Sequence, residues 1–144
     1  GAIKSARSPD WIGDKLHSLS PWLGSHCYGY YRDSVTWLAA EVQCENHHPG
    51  AHLASILNDA ERDALGQYLS KMTSGDVWIG LHNPCKGKTW LWSDGSRFHY
   101  TTWVPNEPNN LGGKEYCGEV YASTGYKNWN DIPCEKKNTY VCKY

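Results

Sequence analysis

The clearest periodic signal in the chain is helical. Ala60, Ala64, Leu65, Tyr68, Leu69 and Met72 recur at steps of three and four, which puts them on one face of a helix over 58–72. Asn58, followed three residues later by Glu61, makes the capping-box pattern that starts such a helix. An earlier segment, 34–46, carries Val35, Trp37, Leu38, Ala39 and Val42 as a second apolar stripe, with Asp33 or Ser34 to cap its first turn. His47-His48-Pro49-Gly50 ends this helix, because proline cannot continue it and glycine permits the reversal. Two adjacent histidines invite a metal reading. No third ligand lies near them in sequence, and a solvated helix end accounts for them better.

Elsewhere the pattern is that of strands and turns. Cys27-Tyr28-Gly29-Tyr30-Tyr31 reads as an aromatic strand, 51–56 as a short buried one, and Val77 to Leu81 and Trp90 to Trp92 as two more. Residues 116–121, 127–130 and 138–143 read as closing strands. Between these groups, 93–115 is rich in Gly, Asn and Pro and has no period. A loop longer than about 12–15 residues in a compact domain usually has a function. Residues 1–17 read as an N-terminal arm with a turn of helix around Trp11 to Leu16, and 18–144 as one α+β domain.

Composition narrows the classes. The 144 residues suit one domain. Net charge is −1 with Lys and Arg scattered singly, so nothing offers a phosphate-tracking surface and nucleic-acid binding is not expected. No apolar run approaches the length of a membrane span, so no membrane insertion is expected. Eight Trp and 10 Tyr against one Phe and one Met favour half-buried sheets and sugar- or protein-contacting surfaces. The six cysteines include no C-x-x-C pair, which points to disulfides and a secreted protein rather than a zinc knuckle. Their spacing alone does not select a pairing. The N-terminus lacks a charged-then-apolar leader pattern, so Gly1 is read as a processed start.

The long loop holds the candidate chemistry. It contains Glu107-Pro108-Asn109, then Glu115, and Asn130-Asp131 follows. Three carboxylates and two carboxamides are all oxygen donors, which hard Ca²⁺ prefers. Thiolates and imidazoles, which suit zinc, are not part of the group. A cis Glu107–Pro108 bond, accessible because the second residue is proline, would hold the flanking side chains towards one point. No Gly-x-Ser-x-Gly or His-Glu-x-x-His signature occurs, so an enzyme is not expected.

With Trp78-Ile79-Gly80-Leu81, the order of the cysteines, the helix–helix–strand order and the long loop, residues 18–144 resemble the C-type lectin-like domain family. The resemblance implies two helices flanking small antiparallel sheets, with a long Ca²⁺-binding loop. It implies a long-range bridge Cys44–Cys142 and a short bridge Cys117–Cys134 under that loop. Chain entropy would make the first worth roughly 4.7 kcal/mol and the second about 3. The family's sugar-binding Ca²⁺ site corresponds to Glu107, Asn109, Glu115, Asn130 and Asp131, Asp131 giving side-chain and main-chain oxygen. Two adjacent sugar hydroxyls would then meet the ion, donating to Glu107 and Glu115 and accepting from Asn109 and Asn130. Glu-Pro-Asn resembles the mannose-type branch (mannose, glucose, N-acetylglucosamine, fucose). Tyr100, Trp103 or Tyr126 near the site would leave galactose open.

Departures from the family pattern are informative. Asn110 and Tyr116 stand where acids of an auxiliary Ca²⁺ site are often found, so that site is not expected. Leu16 to Pro21 offers no cysteine to partner Cys27, and Cys85 is extra. These two could bridge each other, stay as thiols or pair between chains, and a disulfide-linked homo-oligomer through Cys85 or Cys27 is the expectation. Linked sites would raise avidity for glycans on cells, microbes or secreted glycoproteins. The alternative keeps the fold but binds protein, mineral or ice, since Cys27-Tyr28-Gly29-Tyr30-Tyr31 and Ala51-His52-Leu53-Ala54-Ser55 resemble regenerating-type and eggshell-type relatives.

Overall fold

The computed structural model describes residues 26–144. The arm at 1–17, its turn around 11–16 and the boundary at 18 lie outside the described residues. The elements are β1 (Tyr28–Val35), α1 (Trp37–His47), β2 (His52–Leu53), α2 (Asp59–Met72), β3 (Val77–His82), β4 (Leu91–Trp92), β5 (Cys117–Val120), β6 (Trp129–Ile132) and β7 (Asn138–Lys143). Single turns of 3-10 helix lie at Leu111–Gly113 and Ala122–Thr124.

Strand order along the main sheet is β1-β7-β3-β5-β6, with β2 on β7 and β4 on β3. All pairs are antiparallel except β3 with β7, which is parallel. The final strand slots between β1 and β3, running against the first and with the third. The expected two-helix α+β architecture is present, and its sheet is mixed rather than purely antiparallel.

The second helix starts where its cap residue predicts: Asn58 Oδ1 accepts from Glu61 N at 2.8 Å. Its inward face is Leu65, Tyr68 and Leu69, with Ala60, Ala64 and Met72 packed against the same core. The first helix differs from expectation in two ways. Residues through Val35 continue β1, so the helix starts at Trp37 with Thr36 as its cap, not Asp33 or Ser34. Its buried face is Trp37, Ala40 and Cys44, while Leu38 and Val42 are 66% and 52% exposed. The reason is anchoring. Trp37 Nε1 donates to Ile79 O at 2.8 Å and Cys44 is bonded to Cys142, and these two fix the rotation that the weak stripe leaves free. The short strand over 51–56 shrinks to His52–Leu53. Ala54, Ser55 and Ile56 are buried without continuing it.

The paired histidines have no common task. His47 stacks on Tyr31 and bonds Tyr140 Oη at 3.0 Å, while His48 stacks on Tyr144. Gly80 belongs where the backbones of three segments meet. A Cβ there would lie 2.8 Å from both Leu53 O and Ser93 Oγ.

Cys44–Cys142 and Cys117–Cys134 are both formed, spanning 98 and 17 residues. A buried ion pair crosses the core between α2 and β7. Lys143 Nζ lies 2.7 Å from Glu61 Oε2 and also bonds Ser55 O and Oγ at 3.2 and 3.0 Å. Tyr28 Oη donates to Glu61 as well, and Leu57 N donates to its other oxygen at 2.8 Å. The capping-box glutamate thus turns inward instead of bonding back to its cap.

Lys143→Met, which leaves that carboxylate buried and unmatched, is expected to lower stability by about 3–5 kcal/mol. Adding Glu61→Leu should return most of the loss, as read from urea-unfolding midpoints. A double variant no better than the single would show that the pair itself, not the orphaned charge, carries the stability.

Candidate functional site

The site is built on the β5–β6 ladder. Gly118 pairs with Asp131 and Glu119 with Asn130. The Cys117–Cys134 bridge ties the outer ends of this hairpin together. Under it, Trp129 is fully buried and met edge-on by Trp92, Tyr100 and Trp103. The chain before the loop is bonded to the same strand, by Val104 N to Trp129 O at 2.8 Å and Trp129 N to Thr102 O at 3.0 Å. Burial of one tryptophan therefore fixes where the loop begins.

Asp131 organises the loop. Its carboxylate is buried and accepts from Asn110 N at 2.7 Å through Oδ2 and from Asn109 N at 3.2 Å through Oδ1. Asn109 N also donates to Glu107 Oε1 at 3.1 Å, and Asn109 Nδ2 to Glu107 Oε2 at 3.3 Å. Leu111 N is shared between Asn109 Oδ1 and Glu115 Oε1, both at 3.0 Å. Glu115 N closes the ring onto Asn110 Oδ1 at 2.8 Å. The Glu107–Pro108 peptide is cis.

Glu107, Glu115 and Asp131 each direct an oxygen into a common space, and these atoms lie within 4.8 Å of one another. Three like charges this close oppose ionisation. The Glu107 carboxyl is pushed up to about 7, by burial first and then by the neighbouring Asp131 carboxylate. Glu115 is raised too, by burial and by Asp131, against the opposing pull of Leu111 N and Lys136. A divalent cation would relieve this repulsion. The donor set, oxygen only, suits a hard ion such as Ca²⁺.

The structure thus gathers Glu107, Asn109, Glu115 and Asp131. Asn130 is set differently. Side chains alternate along a strand, and its Nδ2 donates to Glu119 Oε2 at 3.0 Å, on the ladder beside the cluster. Sequence reasoning missed Glu119. The available signal was an acid inside the strand Cys117-Gly118-Glu119-Val120, whose every residue is buried.

Beside the cluster lies a cavity of about 370 Å³ lined in part by Trp90, Trp103, Lys88, Asn83, Asn110 and Tyr116. Of the three aromatic residues singled out in the sequence, Trp103 lines this cavity. Tyr100 Oη instead donates to Asp59 at 2.6 Å, and Tyr126 Oη to the carbonyls of Thr73 and Gly75, at the two ends of α2.

Residues 33–144 match the family model described as the Lectin C-type domain. The chain is 44% identical to the C-type lectin BfL-2 of Bungarus fasciatus over 126 residues, covering 85% of this chain and 80% of that protein. It is 43% identical, with the same coverage, to a C-type lectin mannose-binding isoform of Notechis scutatus scutatus. Among solved structures, ovocleidin-17, a major protein of the Gallus gallus eggshell calcified layer, superposes with a TM-score of 0.79 at 28% identity, covering 94% of this chain and 96% of that one.

The crowding of carboxylates predicts a pH dependence. Glu107 and Glu115 hold protons more tightly in the folded chain than in the unfolded one. They therefore favour folding at low pH, and this contribution is lost as pH rises from the ordinary carboxylate range through about 7. Glu119, raised to about 7 by burial, acts in the same sense. His47, His48 and His82, lowered by burial, act in the opposite one. The informative quantity is thus a difference. In EGTA, Glu107→Gln should lose less stability than the parent between about pH 5 and 8, measured by urea unfolding. Identical pH slopes would contradict the crowding.

Proposed function

The chain belongs to the C-type lectin domain family, and on that premise we propose that it is a secreted, Ca²⁺-dependent carbohydrate-binding lectin of mannose-type preference. The observation that carries the reading is the convergence of Glu107, Glu115 and Asp131 oxygens on one space. Asn109, bonded to two of the three, joins them, and Asn130 completes the proposed ligand set. Bound there, Ca²⁺ would supply open coordination positions for two adjacent sugar hydroxyls.

The protein's own groups would fix which sugar fits. Glu107 and Glu115 accept from the hydroxyls, and Asn109 and Asn130 donate to them. Asn109 Nδ2 is held on Glu107 in this structure, so a sugar hydroxyl exchanges into an existing polar contact rather than an empty one. Trp103 and Trp90 line the adjoining cavity and offer apolar faces to a bound saccharide. The Glu-Pro-Asn order and the similarity to a mannose-binding isoform favour mannose, N-acetylglucosamine or fucose over galactose. On this reading the chain binds its ligand without transforming it. Its partners are glycans on cells, microbes or secreted glycoproteins.

A second reading, in which the same scaffold binds mineral or protein, draws on the likeness to ovocleidin-17. Chelation separates the two. Binding to a mannose column is expected to need Ca²⁺ and to be abolished by EGTA, and Asn109→Asp, which removes the amide donor, should weaken it at least about tenfold. It should also weaken as pH falls towards the carboxylate range, because protons compete with the ion for Glu107 and Glu115. Retention in EGTA would overturn the reading.

We also read Cys85, exposed on the β3–β4 loop, as the link of a disulfide-bonded homo-oligomer. A non-reducing mass equal to one chain, with the Cys85 thiol titratable, would reject that.

A further inference from the structure

Glu119 is a buried carboxylate that the proposed binding chemistry does not use. It is 3% exposed. A buried polar group of this kind needs partners, and both of its partners are carboxamides. Glu119 Oε2 accepts from Asn130 Nδ2 on β6 and Oε1 accepts from Asn138 Nδ2 on β7, each at 3.0 Å. β5 runs beside β6 and pairs Glu119 with Asn130 directly. Among the described residues, no other hydrogen bond reaches either oxygen.

Glu119 accepts at both oxygens, from an amide nitrogen each time. It therefore dictates which end of each amide faces it. One N–H of Asn130 is committed to Glu119, which leaves its oxygen and its second N–H to face elsewhere. An isolated asparagine at that position would be free to present either end, and presenting the nitrogen would leave a cation one ligand short. Glu119 Oε1 is held in turn by Asn138, so the carboxylate is itself locked by the strand next to β3.

We propose that Glu119 is the positioning residue for Asn130, orienting its carboxamide so that Oδ1 is the atom offered to the cation. This rests on the reading of Asn130 as a Ca²⁺ ligand. The arrangement follows a general pattern, in which partners behind the ligands fix the ligands' orientation and their loss weakens metal affinity by about 10–100-fold. Asn138 would then be the structural half of the same device, bonded to Glu119 but not to the ligand.

Calcium titration of the metal-free protein by calorimetry, in a double-mutant cycle, tests the proposal. The variants are Glu119→Leu, Asn130→Ala and the pair. Glu119→Leu alone should weaken Ca²⁺ binding about 10–100-fold. In the Asn130→Ala background the same change should alter affinity by no more than about twofold. Should Glu119→Leu fail to fold, Glu119→Gln carries the same cycle. In the metal-free parent, the Asn130 side-chain amide resonances should move when Glu119 is replaced, a readout that needs no ion. Asn138→Ala, which frees one oxygen of Glu119 but leaves its bond to Asn130, should weaken Ca²⁺ binding less than Glu119→Leu does. Folded Glu119 variants that bind Ca²⁺ as the parent does would overturn the proposal. So would an equal loss in both backgrounds, which marks a general structural effect. An Asn130→Ala variant that binds like the parent would instead remove Asn130 from the ligand set, and the proposal with it.

Discussion

Mutual repulsion of three carboxylates is the constraint on which the rest of the site turns. Glu107, Glu115 and Asp131 are held with oxygens within 4.8 Å of one another, an arrangement that side chains free to move would relax. They do not relax because Asp131 is buried and bonded to two successive loop amides, of Asn109 and Asn110. Those bonds fix the loop that carries Glu107, and the Glu115 amide is tied back to Asn110. The molecule keeps charge concentrated by using backbone donors that cannot themselves be ionised. Such a cluster is complementary to a small hard cation.

The scaffold supplies the rigidity this requires. Trp129 sits beneath the hairpin among Trp92, Tyr100 and Trp103. The Cys117–Cys134 bridge closes the hairpin's open end, and Cys44–Cys142 pins the first helix to the last strand. Burial of apolar area thus positions a polar device at the surface. Leu38 and Val42 on the solvent face of α1 have no part in it.

Much of this was legible in the chain. The second helix, its Asn58 cap and its buried face followed from spacing alone. The two bridges and the gathering of Glu107, Asn109, Glu115 and Asp131 followed from a family pattern read onto this sequence. What spacing could not give was rotation and partner choice. The first helix turned Ala40 and Cys44 inwards because a covalent bond and Trp37 outweigh a weak stripe. Glu61 left its expected cap because Lys143 came from far along the chain to meet it. Asn130 bonds Glu119 through strand pairing that no local window reveals. Each of these is a long-range contact overriding a local preference.

The central claim is that these oxygens form a cage for one ion. Diffraction from crystals grown with excess Ca²⁺ and mannose tests it most directly. The account predicts a single cation bonded to Glu107, Asn109, Glu115, Asn130 and Asp131 at about 2.3–2.6 Å, with two sugar hydroxyls in the same shell. Carboxylates bridged only by water, with the sugar bound elsewhere or not at all, would contradict it.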